Sequence, residues 1–398
     1  MLLPVFATTA VLTLAALIAI FPATLAPLLA QALGVPASLI GVQISFLYVG
    51  AVSTSLLGGG ITERFGACRT SQLSLLALGG GALLATVPSL VTFSIASVLI
   101  GLGYGMTNPA ASHLLMRFTP VARRGLIFSI KQTGVPLGGV LAGLVAPPLA
   151  LLLGWQAAFV TVGVAALLGA VLLQPLHARW DDDRDRSQGW AAAPLSGLTL
   201  VWRYRPLRYI SLAGTCFAWV QLSLAAFTVV LLVEELDFTL VAAGAVMAGL
   251  QFAGAVGRIV WGAVADRLRG VLPAFVLISG MSMTAATLVT VMSPDWPTAL
   301  VAAVMCLFGA SALGWNGIYL AEVARLAPEG RVAAASGGSL VFTFCGVLFG
   351  APAFTLLHAL LGSYQLAFGV LTLVCAVGLA CFVASSRAWS RESLLGKG

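Results

Sequence analysis

The chain of 398 residues is 60% hydrophobic and 8% charged, with a mean hydropathy of +1.04. Soluble domains carry roughly 25% charged residues, so this composition identifies an integral membrane protein. The net charge of +7 does not indicate nucleic acid, because the basic residues lie scattered at the ends of apolar runs instead of clustering with aromatics on one soluble face.

Breaking the sequence at charges, Pro and Gly leaves twelve apolar runs of the roughly 20 residues that a bilayer crossing requires. In chain order they cover 4–30, 37–58, 71–88, 91–117, 125–151, 155–174, 207–233, 240–262, 272–292, 297–324, 332–358 and 364–385. The first lacks the basic n-region of a signal peptide and is too long for one. Pro22, Pro27, Pro109, Pro136, Pro147 and Pro352 are expected to bend or interrupt their helices. The six cysteines show no CxxC spacing and five sit inside apolar runs, so neither a disulfide framework nor a metal site is expected, and no cofactor is implied.

Basic residues mark the cytoplasmic side of membrane helices. The even-numbered loops hold Arg64 and Arg69, Arg123 and Arg124, the Arg179–Arg208 segment, Arg267 and Arg269, and Arg331, whereas the odd ones hold only Glu234, Glu235, Asp237 and Asp295. Both termini are therefore expected in the cytoplasm of a multi-pass inner-membrane protein. Two six-helix bundles, 1–176 and 206–398, are expected to flank a cytoplasmic linker at 177–205, whose Asp181-Asp182-Asp183-Arg184-Asp185-Arg186 run reads as solvated.

The two halves repeat. At an offset of 208 residues Asn108 falls on Asn316, Arg117 on Arg325, Pro120 on Pro328 and Arg123 on Arg331. Gly59-Ile61-Glu63-Arg64-Gly66 is echoed by Gly262-Val264-Asp266-Arg267-Arg269. Doubling of this kind in an apolar chain places a substrate site between repeats.

The 6+6 arrangement, the long middle loop and the paired GxxxD/ERxG element resemble the major facilitator superfamily over essentially the whole chain. The resemblance implies an all-α fold of twelve transmembrane helices in two pseudo-symmetric bundles. It also implies a gating latch formed by Glu63 with Arg64 and by Asp266 with Arg267. Glu322, with Pro328 and Arg331 behind it, is similar to the family element that follows helix ten, and is expected to make a salt bridge with Arg325, Arg331 or Arg267, or else to carry a proton. The Gly134-Val135-Pro136-Leu137-Gly138-Gly139 segment partly matches the family's antiporter motif with Pro displaced by one position; a small-xxx-small packing surface accounts for it equally well.

An ionisable residue inside a span is a functional-site hypothesis. Lys131 lies about 10 Å into the bilayer from Arg124 at the helical rise and matches Ser339 in the repeat. It either snorkels or pairs with Glu322, or it offers a cation to a substrate anion. Arg258 precedes Gly262 by one turn, a spacing similar to the helix-eight element of monocarboxylate and oxalate/formate carriers, where the Arg holds a carboxylate. Asn108 and Asn316, with Tyr104, Trp315, Tyr319 and Gln221, are candidates to shape the pocket, and His113 is a candidate proton site or a packing residue.

These residues point to a monomeric secondary transporter that moves a small organic anion of the monocarboxylate type by alternating access. Proton symport, exchange and uniport all fit. Export of neutral or amphipathic compounds, and a non-transporting membrane sensor, are the competing readings. An enzyme is not expected, since HExxH, GxSxG and a phosphate-binding Gly loop are all missing from the sequence.

Overall fold

The structure is a computed structural model and describes residues 2–120, 124–185, 194–268, 270–328 and 331–395. In chain order its α-helices are α1 (Leu2–Thr24), α2 (Ala26–Leu33), α3 (Ile40–Phe65), α4 (Ala67–Leu84), α5 (Leu90–Phe118) and α6 (Arg124–Gln132). They continue with α7 (Gly134–Leu153), α8 (Trp155–Leu172), α9 (His177–Trp180), α10 (Pro194–Arg203), α11 (Arg205–Glu234) and α12 (Leu240–Arg267). The last five are α13 (Val271–Val289), α14 (Thr298–Ala312), α15 (Asn316–Leu326), α16 (Val332–Leu361) and α17 (Tyr364–Leu395). Among the described residues no strand occurs. Eleven stretches are long and apolar enough to cross a membrane. The remaining expected run is α4, whose early turns carry Arg69, Ser71, Gln72 and Ser74.

Three expected runs are each split in two. The first breaks at Leu25, between Pro22 and Pro27, giving α1 and α2. The fifth breaks at Thr133: Pro136 has no N–H for the carbonyl of Gln132, so α6 ends there and α7 begins one residue later. The tenth breaks over residues 313–315 without a proline. Here side chains take the carbonyls that helical N–H groups would otherwise use. The Trp261 indole donates to the Ala310 carbonyl at 2.8 Å, and Arg258 Nε donates to the Leu313 carbonyl at 3.1 Å.

The chain divides into two compact units, Met1–Ala192 with Thr239–Ala248, and Ala193–Phe238 with Gly249–Gly398. In the first, α5 is central and packs on α3, α4 and α1, while α1 packs on α7. The α3–α5 crossing is a backbone contact. A Cβ on Gly101 would collide with the Leu47 carbonyl, and one on Gly50 with the Val98 carbonyl. Hydroxyls fasten the same crossing, from Thr54 to the Leu102 carbonyl at 2.9 Å and from Ser55 to the Gly105 carbonyl at 3.2 Å. The second bond serves the carbonyl that Pro109, four residues on, leaves without a helical donor.

In the second unit α11 packs on α16 and α17, and α13 on α14 and α17. Stacked rings fill these contacts, Phe227 on Phe354 at 4.3 Å and Phe275 on Phe382 at 4.0 Å. The repeat partner of Lys131 is buried here as structure: the Ser339 hydroxyl meets that of Ser211 at 2.8 Å.

Within the stretch 177–205, residues 182–185 of the charge run are exposed as expected, but Asp181 is not. Where described it holds α9 and α10, and Trp180 and Asp181 are each only 3% exposed. The Asp181 carboxylate accepts the backbone N–H groups of Cys68 at 2.6 Å and Arg69 at 3.0 Å, which caps the N-terminus of α4. Asp182 and Asp183 pair with Arg117 at 2.5 and 3.1 Å, and Asp183 also meets His113 at 2.9 Å. An acidic run is drawn down because a helix N-terminus and a basic helix end lie side by side there.

These carboxylates titrate in opposite senses. Burial raises Asp181 above the ordinary carboxylate value, a shift partly offset by its two N–H bonds. The hydrogen bond from Arg117 lowers Asp182. A raised acid adds stability as pH falls toward its ordinary value, whereas a lowered one contributes above that value and loses the contribution as pH falls through the depressed one. The strap should therefore stay docked from neutral pH down to about 4 and loosen only below it. Fluorine NMR of fluorotryptophan at position 180 would read this, and release beginning near pH 6 would contradict the assignment.

Candidate functional site

In the first unit, the break at Thr133 leaves Lys131 and Gln132 on the last turn of α6. Lys131 is 2% exposed, and its ammonium donates to Asn108 Oδ1 and to Gln132 Oε1, the latter at 3.2 Å. Among the described residues it forms no ion pair. Asn108 and Gln132 are themselves exposed, so a buried cation is hydrogen-bonded to two accessible amides. An ammonium has three donors and two are engaged here, which leaves one for a further acceptor. Tyr104, a turn before Asn108 on α5, stands edge-on to Tyr48 at 6.4 Å.

In the second unit, the break between α14 and α15 collects the other candidates. Gln221, on α11, accepts from the Trp315 indole and from the Asn316 amide through one oxygen, Oε1, both at 3.0 Å. Tyr319 is 2% exposed, lies edge-on to Trp315 at 5.0 Å, and donates to the Ser339 carbonyl at 3.4 Å. Arg258 caps the Leu313 carbonyl through Nε and makes a further interaction. Gln221→Leu should leave two donors at the break without an acceptor and lower stability by about 2 kcal/mol. Thermal unfolding of the purified variant checks this, with an unchanged midpoint as the contrary result.

The expected gating residues separate. Glu322, 7% exposed, is held by Arg325 through two bonds of 2.6 and 2.7 Å, one of the three partners expected for it. Asp266 and Arg267 are exposed and form no ion pair among the described residues. Arg64 lies 6.0 Å from the Phe65 ring and makes a further interaction, while the Glu63 backbone carbonyl accepts the N–H of Asp185 at 2.8 Å. Arg331 lines a cleft with Arg203 and Tyr204. His113 is taken up by Asp183. Arg123 and Arg269 lie outside the described residues, as does the side chain of Arg124.

Sequence reasoning missed Gln132 as a partner of Lys131, and Trp261 and Asp181 as capping groups. Gln132 stands beside Lys131 on a helix whose end Pro136 dictates, so its signal was present. Trp261 and Asp181 act on carbonyls and N–H groups far away in the chain, which no local pattern reveals.

A bundle of long apolar helices, with polar side chains gathered at helix breaks within the spans, defines a class of multi-pass membrane protein. The sequence profile of the Major Facilitator Superfamily matches residues 6–337, and the chain belongs to that family. It is 30% identical over 282 residues to the 3-(3-hydroxy-phenyl)propionate transporter of Escherichia coli (strain K12), covering 67% of this chain and 65% of that one. It is 31% identical over 153 residues to the 4-hydroxybenzoate transporter PcaK of Acinetobacter baylyi, covering 37% of this chain and 33% of that one. The matches thus span from about a third to just under two thirds of these curated relatives. In fold it is similar to a bacterial homologue of the human lysosomal transporter Spinster, solved in an inward-facing and occupied conformation, with a TM-score of 0.76, 16% identity and 96% of each chain covered.

Proposed function

We propose that the protein is a secondary transporter of a small organic anion, a monocarboxylate, working by alternating access. One observation carries this reading: Lys131 is a buried cation with no carboxylate partner among the described residues, its ammonium hydrogen-bonded to two exposed amides. A buried unpaired charge is costly, and an arriving carboxylate supplies the missing counter-charge together with a short charge-assisted hydrogen bond. The two relatives above carry the names of aromatic monocarboxylates, which supports the same chemistry. Tyr104 beside Asn108 in the first unit, and Arg258, Gln221, Asn316, Trp315 and Tyr319 at the helix break of the second, are the further residues we assign to substrate recognition.

In this reading residues 1–176 and 206–398 are the two bundles, and both termini lie on the cytoplasmic side of an inner membrane, where the arginine-bearing loops fall. Glu63 with Arg64, Asp266 with Arg267, and Arg331 act at the loop ends as gating charges that form and break ion pairs as the two states exchange.

The test is a thermal-shift series on purified protein with 4-hydroxybenzoate, 3-(3-hydroxyphenyl)propionate and the neutral isostere 4-hydroxybenzamide. Carboxylates are expected to stabilise the wild type and the amide is not. Arg258→Ala is expected to weaken the response and Lys131→Ala to remove it. An equal response to acid and amide, or a Lys131→Ala variant that responds like wild type, rejects the anion site in favour of a neutral substrate.

A further inference from the structure

Two long helices of the second unit, α11 and α17, line a cleft of about 560 Å³ that shares no residue with the polar cluster at the helix break. One face of α17 lines it from end to end. Ala380, Val383 and Ala384 come first, followed by Arg387, Ala388 and Arg391, a spacing of three and four residues that places all six on one stripe. Across from them, α11 contributes Arg205 and, one turn further, Tyr209. The cleft therefore runs from an apolar wall of small side chains into a mouth of three guanidinium groups with a phenol at the junction.

These arginines differ from the others that end helices. Arg117 is paired with Asp182 and Asp183, and Arg325 with Glu322. Arg205, Arg387 and Arg391 are exposed and form no ion pair among the described residues. Arg208 adds further positive charge beside them, 5.5 Å from the Tyr209 ring. Three like charges around one cleft repel unless an anion sits among them. Guanidinium groups match phosphate oxygens through paired hydrogen bonds, and their weak hydration suits a site at the edge of a bilayer. The apolar wall belongs to a spanning stretch, Tyr364–Arg391, so it continues into the hydrocarbon layer.

We propose that this cleft binds one anionic phospholipid, its phosphate held by Arg205, Arg387 and Arg391 and an acyl chain lying along Ala380, Val383 and Ala384. Tyr209 stands at the level of the glycerol esters, where a phenol is at home. The lipid bridges the start of α11 and the end of α17, so its loss loosens the second unit and leaves the first unit unaffected.

Native mass spectrometry and thermal unfolding of the full chain in detergent, with dioleoyl phosphatidylglycerol or phosphatidylcholine added, test this. The wild type is expected to retain phosphatidylglycerol and melt higher with it, and to show neither effect with phosphatidylcholine. Each arginine replaced by glutamine should weaken retention about fivefold, as expected for one cation at a membrane surface. Ala384→Trp keeps every charge but fills the acyl path, and it too should release the lipid; it serves if the arginine variants do not fold. Replacing Arg179 and Arg184, in the first unit, should leave retention unchanged. Retention undiminished in both the arginine and Ala384→Trp variants overturns the proposal, as does equal binding of phosphatidylcholine. Protection by inorganic phosphate equal to that by the lipid identifies a free-phosphate site instead and also overturns it.

Discussion

Lys131→Met is expected to reduce carboxylate uptake into proteoliposomes by about 100-fold or more while leaving the unfolding midpoint unchanged or higher. The two halves of that result have different origins. Uptake falls because the variant loses a charge-assisted bond formed only when the anion is bound, worth about 1.5–3 kcal/mol as a contact and more once its desolvated partner is left unmatched. Stability holds because the wild type buries an ammonium with no acid beside it, and a methionine of similar length removes that penalty while filling the space. Asn108→Ala should retain part of the activity, down about tenfold, since Gln132 still positions the ammonium. A Lys131→Met protein that melts well below wild type would show a structural lysine, and uptake within threefold of wild type would exclude Lys131 from the transport path.

Gly101→Leu is expected to abolish folding of the first unit, measured as loss of the monodisperse species after extraction and of ligand-dependent unfolding. The Cβ alone would collide with the Leu47 carbonyl and crowd the Ala51 backbone nitrogen. A backbone cannot step aside as a flexible side chain can, so α3 and α5 would have to separate. Separation breaks the hydroxyl bonds from Thr54 and Ser55 across the same crossing. In lipid no hydrophobic force drives helices together, and close packing with interhelical hydrogen bonds does most of that work. The cost is several kcal/mol, at the upper end for a single substitution. Gly262→Leu offers the contrast: nothing lies within 4 Å of a Cβ there, and the variant should fold normally.

The helical class and the positions of the spans were legible because bilayer thickness imposes a length and a polarity that any window of sequence displays. The breaks were legible only where proline caused them. Pro22 and Pro27 part α1 from α2, and Pro136 parts α6 from α7. The break at residues 313–315 has no such mark, because its cause is a pair of donors, Arg258 and Trp261, on another helix. Lys131 stood out as a charge within a span, yet its partners depended on where α6 ends against α5. The burial of Asp181 was missed for a related reason. A run of aspartates reads as solvated until one knows that the start of α4 and the end of α5 present N–H groups and Arg117 at the same place.

Asn108 and Asn316 occupy equivalent places in the repeat and use opposite ends of the same amide. Asn108 turns its oxygen to the Lys131 ammonium, whereas Asn316 gives its nitrogen to the Gln221 oxygen. An amide is ambivalent in sign, able to serve as acceptor in one setting and as donor in another. In a chain whose halves repeat, that ambivalence has a consequence: one residue type at matched positions can answer to a cation in one half and an acceptor in the other without changing. The partners, not the asparagines, differ between the halves: Lys131 faces Asn108, and Gln221 faces Asn316.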